Sequence, residues 1–229
     1  MSGAPHALSI VVPVLNEAAT IVPALAALAP FRARGVEVIV VDGGSTDATV
    51  TLAQPLADFV IGSARGRAAQ MNAGAAIARG DVLLFLHADT RLPVDADRLI
   101  LDGLARSRRN WGRFDVAIDG THTLLPLVAA AMNLRSRLTG ITTGDQAMFV
   151  TRDTFDRAGG FPPIALMEDI TLARTLKRVS RPLCLSARVT TSGRRWESRG
   201  VVNTVLLMWS LRLRYFFGAK PDELAKRYQ

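Results

Sequence analysis

His87 and Asp89 stand one residue apart at the end of an apolar run, Val82-Leu83-Leu84-Phe85-Leu86. Such a run reads as a strand buried on both faces, and ligands of open α/β sheets gather beyond the carboxyl ends of such strands. A carboxylate held there is partly desolvated, and a divalent cation offsets that cost. A solvated turn with an ordinary aspartate is the competing reading of the same residues. Farther on, Glu168-Asp169 opens a segment in which Leu172 and Leu176 stand four apart. Two carboxylates at a helix start suit chemistry, and they suit the helix dipole equally well.

The elements that would position these groups come first in the chain. Residues 8–15 read as a buried strand ending at Pro13-Val14-Leu15-Asn16-Glu17, where the proline is expected to end pairing and Asn16 to cap a helix reaching about residue 29. Residues 36–41 form a second strand, ending at Asp42-Gly43-Gly44-Ser45-Thr46-Asp47, with Ser45 or Thr46 as the next cap. A short strand at 59–61 and a helix from 67 to 78, closed by Gly80, lead to the strand that carries His87 and Asp89. This alternation predicts parallel strands with right-handed crossovers. Neither Gly-x-Gly-x-x-Gly nor a phosphate-binding Gly-x4-Gly-Lys-Ser/Thr loop is present, so a nucleotide here would be held in another way.

Beyond Pro93 the pattern predicts a helix over 95–107, a half-exposed strand over 114–118 and a helix over 124–138 broken early by Pro126. A strand over 147–150, a helix from 168 to about 178 and one or two edge strands over 183–191 follow. The last helix covers about 201–217, with Val205, Leu206, Trp209, Leu213 and Phe216 at three- and four-residue spacing and Arg212 and Arg214 interrupting. That stripe can pack on the domain, form a homodimer face or lie on an anionic membrane surface.

The 229 residues, 49% hydrophobic, suit one domain, divided at about residues 92 and 200 into two halves and a C-terminal helix with its tail. Cys184 is the single cysteine, which fits a reducing, cytoplasmic setting, and three histidines with one cysteine do not make a usual zinc site. A secretory signal is not expected from the first residues, and no apolar run reaches the roughly 18 residues of a spanning helix. The net charge of +8 favours an anionic partner: nucleic acid, anionic lipid or a sugar nucleotide. Basic residues are scattered, without an aromatic-rich RNA motif, so nucleic acid is not expected.

Taken in order, these motifs resemble the family 2 glycosyltransferases, whose catalytic domain has the GT-A fold. The resemblance covers residues 9–196. It implies a mostly parallel α/β sheet flanked by helices, with a nucleotide-binding half followed by an acceptor half. Val12-Pro13-Val14-Leu15-Asn16-Glu17 looks like the first-strand signature, which places Pro13, Val14, Asn16 and Glu17 at the nucleotide. Asp42 is similar to the aspartate that holds base or ribose, and Gly66-Arg67-Ala68-Ala69-Gln70 to the start of the helix before the metal strand, so Arg67 and Gln70 join the set. His87-Ala88-Asp89 occupies the place of the Asp-x-Asp motif, Glu168-Asp169 matches the Glu-Asp pair, and Arg194-Arg195-Trp196 looks like a reduced Gln-x-x-Arg-Trp motif. His-Ala-Asp-Thr with Gly-Asp-Gln-Ala is also similar to a small bacterial subgroup associated with radical-SAM and selenium-related proteins.

The resemblance implies inverting transfer of a sugar from a nucleoside diphosphate sugar to an acceptor hydroxyl or lipid phosphate. Asp89 would hold Mg²⁺ or Mn²⁺ against the leaving diphosphate, with Arg65 or Arg67 adding a charged contact, or serving as a solvated helix start. The imidazole of His87, standing where the family has an aspartate, would touch ribose, metal-bound water or the metal. Asp169 would be the general base with Glu168 in support. Gly144, Asp145 and Gln146 would face donor or acceptor hydroxyls, and Trp196 would offer a flat apolar face, unless it packs in the core. A nucleotidyltransferase is the rival enzyme, though it would carry a glycine-rich basic loop where this chain has Pro-Val-Leu-Asn-Glu. A non-catalytic module that binds an anionic surface is the rival of another class.

Overall fold

The computed structural model describes residues 6–228. In chain order the elements are β1 (Leu8–Val14), α1 (Ile21–Ala26), α2 (Ala29–Ala33), β2 (Glu37–Asp42), α3 (Thr49–Ala53), β3 (Phe59–Gly62), α4 (Arg67–Ile77) and β4 (Val82–Phe85). There follow β5 (Thr90–Arg91), α5 (Ala96–Ser107), β6 (Trp111–Asp119), α6 (Leu125–Thr139), β7 (Phe149–Thr151), α7 (Arg152–Arg157) and α8 (Glu168–Leu176). The chain closes with β8 (Leu183–Ser192), α9 (Arg194–Arg199), α10 (Val201–Phe216) and α11 (Pro221–Tyr228).

Eight strands form one sheet in the order β3-β2-β1-β4-β7-β6-β8-β5. The first four in that order are parallel, as the strand–helix alternation predicts. β7 then runs antiparallel to both neighbours, and joins this parallel block to β6 and β8. Apolar side chains fill both faces of the sheet. One layer centres on Ile10, Val38, Leu84 and Phe114, the other on Val11, Ile39, Leu83 and Trp111. Adjacent residues of one strand thus serve opposite layers, which is why β1, β2 and β4 carry near-continuous apolar runs. No helix among the described residues is long and apolar enough to cross a membrane.

Several expectations are corrected. Pro13 does not end the first strand: Pro13 and Val14 still pair with Val41 and Asp42. Val11 accepts a hydrogen bond from Leu86 on the β4 side and Val14 one from Gly43 on the β2 side, so Pro13 turns its missing N–H toward β4, where pairing has ended. Asn16 caps no helix; it adopts φ 54°, and the expected single helix is two, each with a proline in its first turn. Neither Ser45 nor Thr46 caps α3. The Ser45 hydroxyl donates to Asp42, and Asp47 receives the Thr49 N–H. Gly80 does not close α4, which ends at Ile77; a Cβ there would lie 2.6 Å from the Ser9 nitrogen, so close chain approach explains this glycine.

In the second half, β6 is buried almost throughout rather than half exposed. Its polar residues pair with one another: Arg113, fully buried, bonds Asp115, which also takes Arg137 at 2.7 Å. Pro126 lies in the first turn of α6 and starts the helix instead of breaking it, because the missing N–H there has no helical partner to lose. Ala147 has φ 46°, so β7 begins only at Phe149. Residues 183–192 make one strand, within the one or two expected, but it is not at the sheet's edge, being flanked by β6 and β5. The tail holds a further helix, α11.

Candidate active site

The site forms where β4 ends and the sheet turns. Leu86 still donates to Val11 across the ladder, and the Thr90 N–H then closes a tight turn on the His87 carbonyl at 3.0 Å. The two-residue strand β5 pins this turn to β8. Thr90 pairs with Thr191, their hydroxyls 3.1 Å apart, and Ser192 donates to the Asp89 carbonyl. The tip carrying His87 and Asp89 is therefore fixed from both sides. The Asp89 carboxylate is exposed, and among the described residues its one hydrogen-bond partner is the Thr90 hydroxyl at 3.2 Å.

Across the pocket, Gly144 lies flat against the His87 ring. A Cβ on Gly144 would sit 2.3 Å from His87 Cε1, so no other residue fits without moving the imidazole. His87 Nδ1 is 3.6 Å from Asp145 Oδ1. Burial tends to raise the Asp145 pKa, but the His87 ring, Arg67 and Arg195 outweigh it and hold the carboxyl below its ordinary value.

Asp169 occupies the first turn of α8. Its Oδ2 accepts the Gly144 N–H at 2.7 Å and its Oδ1 the Ile170 N–H at 2.7 Å, which sets the carboxylate's direction. Met167, just before the helix, takes φ 72°, a left-handed conformation that costs a residue with a Cβ. Among the described residues Asn16, Arg108 and Ala147 also take positive φ, and Met167 is the one of these that lines the pocket. Glu168 is 5% exposed, and burial, then the charge of Asp169, push its carboxyl up to about 7.

One pocket brings together Arg67, His87, Asp89, Gly144, Asp145, Glu168, Asp169 and Trp196 of the residues singled out by sequence. The others lie elsewhere. Gln70 is buried, its amide donating at 2.8 Å to the carbonyls of both Val14 and Val41, so it ties β1 to β2. Gln146 is fully buried, near Asn133 and Thr142. Pro13 and Val14 form the end of β1. Asn16 receives the Thr46 N–H and gives its own to Ser45, while the Glu17 N–H bonds Thr49. The Asp42 carboxylate accepts the N–H groups of Gly44 and Ser45 and the Ser45 hydroxyl, and so folds its own turn.

The family model for glycosyl transferase family 2 matches residues 9–158. The chain belongs to that family. No curated protein matches the sequence. Among solved structures, TarS 1–349 of S. aureus is 18% identical with TM-score 0.66, over 81% of this chain and 60% of TarS 1–349. The chain thus spans about 60% of the length of that relative. TarS 1–349 is also known in complex with UDP-GlcNAc. The mannosyltransferase PcManGT of Pyrobaculum calidifontis, in complex with GDP-Man and Mn²⁺, is 20% identical with TM-score 0.66, over 98% of this chain and 71% of its own. Glucosyl-3-phosphoglycerate synthase of Mycobacterium tuberculosis, with Mn²⁺ and UDP, is 19% identical with TM-score 0.56, over 81% and 71%. These structures share the GT-A fold with this chain.

Arg195, quoted by sequence only as part of the Arg194-Arg195-Trp196 motif, also lines the pocket. Among the lining residues that sequence reasoning did not place at the site are Met208, Arg212 and Tyr228. Arg212 did leave a signal, as a charge inside an apolar helix. Tyr228 left none, because only the docking of α11 brings it in, where its ring lies under the Arg195 guanidinium at 4.7 Å.

Proposed function

We propose that this glycosyl transferase moves a sugar, with inversion, from a nucleoside diphosphate sugar to an acceptor oxygen, with Asp89 holding Mg²⁺ or Mn²⁺ and Asp169 acting as base. The observation that carries the reading is that two of the carboxylates in one pocket, Asp89 and Asp169, are in different states. Asp89 is exposed and nearly free of protein donors, whereas Asp169 is aimed by two backbone N–H groups.

The donor set fits the cation. No group of three or more His, Cys, Asp or Glu able to hold a metal occurs among the described residues. A single exposed carboxylate suits Mg²⁺ or Mn²⁺, which keep several waters and bind through one or two carboxylates together with substrate phosphates. When bound, the cation would neutralise charge developing on the leaving diphosphate. Arg67, at the same pocket, adds positive charge on that side. Asp42, Asn16 and Glu17 form the tied loops that would receive the nucleoside. Gly144 serves two partners at once, leaving room for the His87 ring and orienting Asp169 through its N–H. Glu168 beside Asp169, its carboxyl raised to about 7, carries less than a full charge near neutral pH and so crowds the base less than an ordinary carboxylate would. A positioned base contributes about 10²–10⁴-fold. We place the reaction in the cytoplasm, at the inner face of the membrane, on the strength of the lone cysteine and an exposed apolar stripe on α10.

The test is thermal stabilisation by UDP, GDP and their sugar conjugates, each with Mn²⁺, Mg²⁺ or excess chelator. Stabilisation by at least one nucleotide that needs the cation is expected. Equal stabilisation in chelator would overturn the role of Asp89, and none by any nucleotide would overturn the donor assignment.

A further inference from the structure

A groove of about 380 Å³ runs between α6 and α10, walled by Leu127, Val128 and Met132 on one side and Val205, Leu206 and Trp209 on the other. It opens into the catalytic pocket, since Asp145, Trp196, Met208 and Arg212 line both. Its outer rim is apolar and faces solvent: Leu127 is 67% exposed, Leu206 61% and Trp209 67%. Its inner end is cationic. Arg135 lines the groove, and its Nε and Nη2 are sealed from solvent with no hydrogen-bond partner. The carboxylate whose charge reaches Arg135 is that of Asp169, whose oxygens already accept the Gly144 and Ile170 N–H groups. Burial, followed by the charge of Arg212, brings the Arg135 guanidinium down to about 10. Buried guanidinium nitrogens without a hydrogen-bond partner are costly unless an anion joins them. Two arginines side by side suit the oxygens of a phosphate.

We propose that this groove is the acceptor site and that the acceptor is a lipid monophosphate, its chain between α6 and α10 and its head on Arg135 and Arg212. The inference rests on the transfer reaction proposed above and names its second substrate. In the step, a phosphate oxygen of the lipid forms the new bond to the anomeric carbon while the bond from that carbon to the nucleoside diphosphate breaks. The electron pair leaves with the diphosphate. A dianionic head gives up no proton, whereas a monoanionic head passes its proton to Asp169. The products are a lipid phosphosugar and a nucleoside diphosphate. The apolar rim and the net charge of +8 suit a surface from which such a lipid is taken without leaving the bilayer.

The test is a titration of the full chain with decyl phosphate, followed through the fluorescence of Trp196 and Trp209, with decanol and inorganic phosphate as comparators. Decyl phosphate is expected to bind at least tenfold more tightly than either. Arg135→Gln should bring it down to the level of decanol, with circular dichroism and Mn²⁺-dependent nucleotide binding unchanged. Leu206→Arg, at an exposed position, gives a second variant that should weaken decyl phosphate and decanol alike. Equal binding of decyl phosphate and decanol, or no effect of Arg135→Gln, would overturn the phosphate site. A dimer in sedimentation velocity that Leu206→Arg disperses, with no binding of decyl phosphate, would overturn the groove as an acceptor site and make it an interface between copies. Nucleotide binding with Mn²⁺ but no binding of decyl phosphate would sink this inference alone. The reverse pattern would sink the donor assignment and leave the groove a lipid-phosphate site.

Discussion

The loops after β1 and β2 and the α6–α8–α10 side of the pocket treat their polar groups in opposite ways. In the loops after β1 and β2, the side chains of Asn16, Asp42, Ser45, Asp47 and Thr49 bond one another's loops at 2.5–3.2 Å. On the α6–α8–α10 side, Glu168 is held near neutrality, Arg135 lacks partners for two nitrogens, and burial weakens the hold of Arg212 on its proton. The first arrangement is a frame in which these side chains bond to the protein itself. The second keeps charges poised, and a ligand there can change them. Binding specificity for a nucleotide fits a frame, while proton and anion handling needs groups that are not already neutralised.

The largest effect expected from breaking this contrast is on rate. Asp169→Asn keeps size and accepts the Gly144 N–H, yet takes up no proton. Transfer to a hydroxyl acceptor should fall by about 10²–10⁴-fold, equivalent to roughly 3–5 kcal/mol of barrier, with nucleotide binding intact. With a lipid monophosphate the loss should shrink above a pH of about 6, where the head is already a dianion. Normal hydroxyl transfer by this variant would refute the assignment, whereas loss of rate and binding together would point to a misfolded site.

Next in size is the cation's effect on the frame side. At a nucleotide concentration 100 times its Kd, stabilisation should be about 2.7 kcal/mol. Asp89→Asn should remove the part that depends on Mn²⁺ and leave the cation-independent part, read as a shift in Tm with and without chelator. A variant that keeps its full Mn²⁺ dependence would show that the cation is held by other groups.

How far the sequence reveals the site follows the same divide. In the frame half the strands are buried on both faces, so apolar runs mark β1, β2 and β4 directly, and the turn residues follow at fixed offsets. His87, Asp89 and Asp169 are legible for the same reason, each lying at the end of an element. Gln70 and Gln146 are not, since a polar residue in a motif reads identically whether it faces a pocket or satisfies buried carbonyls. β6 misleads because Arg113 and Asp115 pair inside the fold, giving a buried strand the alternation of an exposed one. Arg135, Arg212 and Tyr228 reach the site only through the docking of α6, α10 and α11, contacts that no local pattern encodes.

A smaller effect, on the poised side, is on pH dependence. The folded protein holds a proton on Glu168 up to a pH of about 7, whereas the unfolded chain releases it near 4.5. The unfolded state therefore binds fewer protons between these values, and stability falls as pH rises through that window and levels off above it. The slope contributed by this group stays below about 1.4 kcal/mol per pH unit. Glu168→Gln should flatten it, which urea denaturation at a series of pH values would detect. An unchanged slope would mean that Glu168 is ionised in the fold throughout.

The smallest expected effect concerns α10, where the helix itself divides into a packed and a free face. Leu211 is fully buried against Met167, Ile170 and Leu224, whereas Leu206 is 61% exposed and Leu213 60%. The stripe of Val205, Leu206, Trp209, Leu213 and Phe216 is thus largely the outward face, not the one that docks. Replacing Leu206 and Leu213 by Gln removes little buried area, so the urea midpoint should move by no more than about 0.5 kcal/mol equivalent. Leu211→Ala, on the opposite face, should cost about 2–5 kcal/mol. The same double Gln variant should lose most of its co-sedimentation with anionic vesicles, because apolar area entering the interface supplies much of that binding. A large loss of stability in the double variant would show that the stripe is covered in solution, and a midpoint that depends on protein concentration would identify the cover as a second copy. An unchanged midpoint with unchanged vesicle binding would remove the stripe from any membrane role. A stable protein that no longer sediments with vesicles is the outcome that separates the two faces of α10.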